Sequence, residues 1–133
     1  MPDHDDERYE RGLARLKAIH GERGENAVTP LGDLGRYIAE FAFGDIYCRP
    51  GLSLRDRQMA TVAMLCALGG RDAQLKVHLA SALRLGITAR ELEEIVIQSA
   101  LYGGFPVAMS AMGLLRDVLA QERSAGEGPE SPP

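Results

Sequence analysis

One histidine and a handful of polar side chains carry whatever chemistry this 133-residue chain performs. His78 is the only histidine beyond the N-terminal region, where His4 and His20 lie. It stands between Leu75 and Leu79 in a stretch of helical apolar spacing, so its imidazole sits beside the core, one turn from Gln74. With an unperturbed pKa of about 6.5, such a ring can exchange a proton near neutral pH, or serve only as a hydrogen-bonded core residue. Arg49, in the turn Arg49-Pro50-Gly51, can grip a carboxylate through paired hydrogen bonds or lie solvated. Gln74 can orient a ligand or the imidazole, or occupy a surface position. Gln98 and Tyr102, one turn apart in a mostly apolar segment, can reach a common cavity or satisfy helix ends. The helix of His78 offers no second histidine or carboxylate at ligand spacing, so no metal site is expected.

These residues need elements to hold them, and the central one is a helical hairpin over residues 53–86. Its first arm, Met59-Ala-Thr-Val-Ala-Met-Leu-Cys-Ala-Leu68, is apolar at nearly every position and must be surrounded. The second arm carries Leu75, Leu79, Ala82 and Leu83 as a buried stripe. Ser53 and Asp56 have the spacing of a helix start, Gly69-Gly70 closes the first arm, and Gly86 ends the second.

Before the hairpin, a first helix is expected from Asp6 to about Ile19, ended by His20-Gly21. A second opens at Thr29-Pro30, with Leu31, Leu34, Ile38, Phe41 and Ala42 at helical spacing, and stops at Gly44. After it, Thr88-Ala-Arg-Glu91 is a capping box leading into Leu92, Ile95, Val96 and Leu101. A last helix runs from Pro106 to about Arg123 and buries Val107, Met109, Met112, Leu115 and Leu119. No stretch alternates like a strand. The fold class is therefore all-α, six helices in one domain over residues 6–123, with disordered tails at 1–5 and 124–133.

A chain of this length can bury roughly two-thirds of its unfolded surface, so a conventional core is feasible. Two all-apolar helices exceed what one small subunit covers, and a homo-oligomer resolves that excess. The methionines Met59, Met64, Met109 and Met112 read as ordinary core filling. A net charge of −4 and 5% aromatic residues argue against nucleic acid and anionic membranes as partners. Residues 1–11 are acidic and polar, with no signal sequence expected. The uncharged run 95–115 is broken by Gln98, Ser99, Gly103-Gly104 and Pro106, so it reads as two buried helices rather than a membrane span. Cys48 and Cys66 lack Cys-x-x-Cys spacing and read as reduced thiols of a cytoplasmic protein.

Four ordered patterns narrow the reading. Phe43-Gly-Asp-Ile-Tyr-Cys-Arg-Pro-Gly-Leu52, Ala67-Leu-Gly with Leu75-Lys-Val-His78, Gly86-Ile-Thr-Ala-Arg-Glu91 and Tyr102-Gly-Gly-Phe-Pro106 together resemble the γ-carboxymuconolactone decarboxylase family over residues 9–119. The resemblance implies an alkylhydroperoxidase D-like helical fold built on the hairpin and assembled as a homotrimer or homohexamer. It also implies an active site around His78 near a subunit interface. The chain differs from the family pattern at Gln58, where glutamate is frequent, and at Tyr47, where tryptophan is frequent. The loop before His78 is one residue longer.

The reaction so implied removes a carboxylate whose electrons flow through a double bond onto a lactone carbonyl, so the substrate is its own electron sink and no cofactor is needed. The protein must hold a small anionic lactone, stabilise an enolate and supply a proton to carbon. His78 is then the catalytic candidate, with Arg49, Gln74, Tyr47, Gln98 and Tyr102 as substrate-binding candidates. Action on another lactone or a β-keto acid, or a non-catalytic oligomeric ligand-binding protein, are the alternatives. A thiol peroxidase of the same superfamily needs Cys-x-x-Cys before the histidine, where this chain has Arg71 and Gln74. Cys66, in an apolar run, has its thiolate disfavoured.

Overall fold

The computed structural model describes residues 2–126; Met1 and residues 127–133, where the ends of both expected tails fall, lie outside them. The chain is all-α, with no strand among the described residues. The helices are α1 (Pro2–Val28), α2 (Asp33–Tyr37, continued by a π-helix Ile38–Ile46), α3 (Leu54–Leu68), α4 (Asp72–Arg84), α5 (Ala89–Gly103) and α6 (Phe105–Gly126). Two compact units meet in sequence between Arg57 and Gln58.

In the first unit, α1 is broken at Gly21, whose φ of 69° is open to glycine but rarely to other residues. The expected stop at His20-Gly21 is thus a change of direction, after which the helix resumes to Val28. Leu16 and Ile19 face inward, as their spacing predicts. Arg8 pairs through Nε with both carboxylate oxygens of Asp45, at 3.1 and 3.0 Å, and Arg11 Nε donates to the Gly44 carbonyl at 3.1 Å.

The second helix departs from its predicted face. Leu31, Leu34 and Phe41, expected to be buried, are exposed, and the inward residues are Gly35, Ala39, Glu40, Phe43 and Gly44. Gly32, at φ 64°, breaks the chain between Leu31 and α2, and from Ile38 onward the backbone is π-helical, the Tyr47 N–H reaching back five residues to the Ala42 carbonyl at 2.9 Å. Each such turn takes up more residues than an α turn, so the stripe read at 3.6 residues rotates outward at Phe41. Glu40 is buried with Arg36 Nε 3.3 Å from its carboxylate, and the Arg36 guanidinium lies 4.8 Å over the Tyr9 ring.

Backbone meets backbone where α1 faces this segment. A Cβ on Gly12 would fall on the carbonyl oxygen of Ala39, and one on Gly44 would lie 3.0 Å from the Arg8 carbonyl oxygen. Gly12→Ala is therefore expected to destabilise the protein by about 2 kcal/mol, the ordinary scale of overpacking. A urea titration checks this, and an unchanged midpoint would show that the two backbones separate freely.

In the second unit, Val62, Cys66, Leu75, Leu79, Ala82, Ile87, Leu92, Val96, Ala111, Leu115 and Val118 form one core. The α4 stripe is as its spacing predicts. The first arm of the hairpin is not: α3 buries Gln58, Val62 and Cys66 but leaves Met64 and Leu68 about 60% exposed, so the chain alone does not surround it. Met109 on α6 is also exposed, so core filling does not describe Met64 or Met109. The helix starts follow the sequence. The Asp56 N–H donates to Ser53 Oγ at 3.0 Å, and at α5 Thr88 and Glu91 exchange backbone-to-side-chain bonds of 3.1 and 2.9 Å. Gly69 and Gly70, at φ 68° and 70°, turn the chain from α3 into α4. Gly104, at φ 95°, separates α5 from α6, and no helix among the described residues is long and apolar enough to cross a membrane.

Candidate active site

The hairpin brings two polar side chains together where its arms face each other. Gln58 enters from the start of α3, on the same inward stripe as Val62 and Cys66, four and eight residues on. His78 enters from α4 between the buried Leu75 and Leu79. Gln58 Nε2 lies 3.0 Å from His78 Nδ1 and 2.9 Å from the backbone carbonyl oxygen of the same residue. Gln58 is wholly buried, and its Oε1 accepts no hydrogen bond among the described residues.

His78 is half-buried, and loss of hydration alone lowers its pKa from 6.5 to about 4. The ring is thus neutral at neutral pH. Such a ring is better suited to stabilising negative charge through an N–H than to giving up a proton as an imidazolium. Cys66 is almost wholly buried, and burial pushes its thiol up to about 11, far from the range of a reactive thiolate.

The other candidates lie apart from this pair in character. Gln74, one turn before His78, is exposed; Gln98 is exposed on α5, and Tyr102 is 91% exposed at its end. Tyr47 and Arg49 belong to the first unit. Tyr47 is half-buried, its ring stacked on Phe43 at 5.2 Å, and Phe43 in turn takes the edge of His20 at 5.6 Å. Arg49 is exposed, and its backbone carbonyl accepts from Arg57 Nη2 at 3.2 Å.

The second unit holds a concavity of about 330 Å³ lined in part by Leu65, Cys66, Arg71, Leu75, Val107 and Ser110. The first holds one of about 420 Å³ lined by Arg8, Tyr37, Ile38, Glu40, Phe41 and Ala42. His78 lines neither.

Gln58, which is not among the candidates read from the sequence, is the side chain that the structure sets against His78. The sequence showed it only as a departure from the family pattern, although its spacing of four from Val62 and eight from Cys66 marked it as inward-facing, twenty residues before His78.

The chain is all-α, and its central hairpin presents a half-buried histidine held by a buried amide. Residues 32–117 match the carboxymuconolactone decarboxylase family, and the chain belongs to it. It is 34% identical over 131 residues, 95% of each chain, to 4-carboxymuconolactone decarboxylase of Acinetobacter baylyi. It is 30% identical over 126 residues to nitrosuccinic acid decarboxylase npaB of Metarhizium robertsii, covering 90% of this chain and 86% of that one. An uncharacterised 15.0 kDa protein of Paracoccus denitrificans shares 31% identity over 86 residues, 64% of each chain. This protein is a decarboxylase of the family.

Proposed function

We propose that the protein removes CO2, without a cofactor, from a small carboxylated lactone such as γ-carboxymuconolactone, leaving the enol-lactone. The carbon–carbon bond to the carboxylate breaks, and its electron pair moves through the adjoining double bond onto the lactone carbonyl oxygen. A proton then adds to carbon. The protein's task is to stabilise the negative charge that gathers on that oxygen, and a preorganised N–H in a partly dehydrated setting does this better than water. The observation that carries the reading is His78: an imidazole uncharged at neutral pH and held by a buried amide, in a chain alike over nearly its whole length to a 4-carboxymuconolactone decarboxylase.

Alongside His78, we assign substrate binding to Arg49, Tyr47, Gln74, Gln98 and Tyr102, with the Arg49 guanidinium able to take a carboxylate in two parallel bonds. The chamber is completed by self-assembly into a homotrimer or homohexamer in the cytoplasm. The apolar side chains left exposed on α5 and α6, Ile97, Leu101, Phe105 and Met109, support that assembly, since such a surface is costly to leave in water.

The likeness to a nitrosuccinic acid decarboxylase favours a second reading, in which the electron sink is not a lactone carbonyl but another group beside the departing carboxylate. Both substrates shed CO2 from a small polyanion and need the same stabilisation of charge. Purified protein offered γ-carboxymuconolactone and nitrosuccinic acid in parallel, with CO2 release followed, separates them. Release from the lactone alone is the expected result. Release from nitrosuccinic acid alone moves the assignment to the second reading, and release from neither overturns both.

A further inference from the structure

We propose that Gln58 is a positioning residue that fixes His78 as the neutral tautomer with its proton on Nε2, so that the ring meets substrate as a hydrogen-bond donor. The use made of that proton rests on the decarboxylase reading above; the tautomer itself does not.

The backbone decides which way the amide faces. The His78 carbonyl oxygen can only accept, so the Gln58 atom 2.9 Å from it must be the NH2 nitrogen. The same nitrogen lies 3.0 Å from His78 Nδ1, and it has a second N–H to give. Turning the amide over would set Oε1 against the carbonyl oxygen, two acceptors at hydrogen-bond distance. Nδ1 is therefore the acceptor and carries no proton, which leaves the proton of the neutral ring on Nε2. A proton added at Nδ1 would meet an N–H, so this contact opposes the imidazolium form in the same direction as burial does.

The amide's cost points to the same role. Gln58 is wholly buried and its Oε1 accepts no hydrogen bond among the described residues, so holding an amide there costs the desolvation of that oxygen. Both hydrogen bonds the side chain makes go to His78. Its energy is spent on one ring.

A neutral imidazole is a far weaker acid than an imidazolium and lies closer to an enol, so it shares its N–H with a developing enolate instead of surrendering it. When the carbon–carbon bond breaks, the electron pair arriving on the acceptor oxygen takes a hydrogen bond from Nε2–H. The ring ends the step unchanged, and the proton that finally reaches carbon comes from water.

Nitrogen NMR of the imidazole in the full-length protein at neutral pH, with no substrate present, tests the proposal, because protonated and bare ring nitrogens resonate far apart. The expected wild-type spectrum has Nε2 protonated over Nδ1 by about tenfold or more, the ratio that one ordinary hydrogen bond sustains. In Gln58→Leu the preference falls toward that of a free imidazole. In Gln58→Glu, whose carboxylate accepts but does not donate, the proton moves to Nδ1; this near-isosteric variant serves if the leucine variant does not fold. A wild-type ring with Nδ1 protonated overturns the proposal, as does a wild-type pattern persisting in either folded variant. Because no substrate is needed, failure of the decarboxylation assay leaves this result standing, and normal decarboxylation with the wrong tautomer removes Gln58 alone.

Discussion

His78→Ala should lower kcat for decarboxylation of γ-carboxymuconolactone by about 10³-fold, the scale on which removal of a single preorganised donor to a developing oxyanion is felt. KM should move far less, since the lost bond strengthens only as charge gathers in the transition state, and such a loss appears in kcat and kcat/KM together. The variant also deprives Gln58 Nε2 of the Nδ1 acceptor 3.0 Å away, while the His78 carbonyl stays in place. A destabilisation of about 1–3 kcal/mol accompanies that loss, so turnover must be read well below the melting temperature, with circular dichroism confirming the helices. Steady-state kinetics on the folded variant decide the matter: a kcat within threefold of wild type removes His78 from the mechanism.

Acid should weaken the fold through His78 from about pH 6.5 downward. The His78 pKa is about 4 in the folded protein because burial disfavours its charged form, against 6.5 for an unperturbed ring. Between those values the unfolded chain binds a proton that the folded chain refuses, so stability rises with pH across that window. The full contribution is present above pH 6.5 and is lost progressively as pH falls toward 4. It amounts to about 3 kcal/mol, since each tenfold difference in proton affinity between the two states is worth about 1.36 kcal/mol. That is a large share of a typical stability of about 5–15 kcal/mol. Asp45, held below its ordinary range first by its hydrogen bonds to Arg8, loses its pairing only at lower pH, so the two events separate along the axis. Urea midpoints measured from pH 7.5 to 3.5, with proton NMR of the His78 ring, test this. A ring titrating near 6.5 would sink the prediction. On account of this ring, turnover should be level from about pH 5 upward and fall below it, as the added positive charge displaces the Gln58 amide.

What could be read from the sequence was whatever local chemistry alone decides. Thr88 and Glu91 form their reciprocal cap because a threonine oxygen and a glutamate three residues on meet wherever a helix begins. Gly69 and Gly70 turn the hairpin because their backbone angles suit few other residues. The Leu75, Leu79 and Ala82 stripe lies inward because α4 is a regular α-helix, and His78 stands beside it for the same reason. The segment before the hairpin is illegible for the converse reason: Phe41 fits an α period, but the backbone from Ile38 winds wider, and nothing local in the residue types announces it. Gln58 was hidden differently. A polar residue beside an apolar run looks like an exposed edge until the opposite arm is seen to bring the His78 ring nitrogen within 3.0 Å of it.

The wide winding of residues 38–46 bears on how this chain can change over evolutionary time. Deleting one residue there would let the segment relax into an ordinary α-helix, turning everything after it by about 100° about the axis. Asp45 would swing away from Arg8, and Tyr47 would leave its place over Phe43. The stretch should accept exchanges of side chain, Gly44 excepted, far more readily than a change of length. Insertions and deletions among descendants of this gene should accordingly gather in the Pro50-Gly51 turn rather than between Ile38 and Ile46.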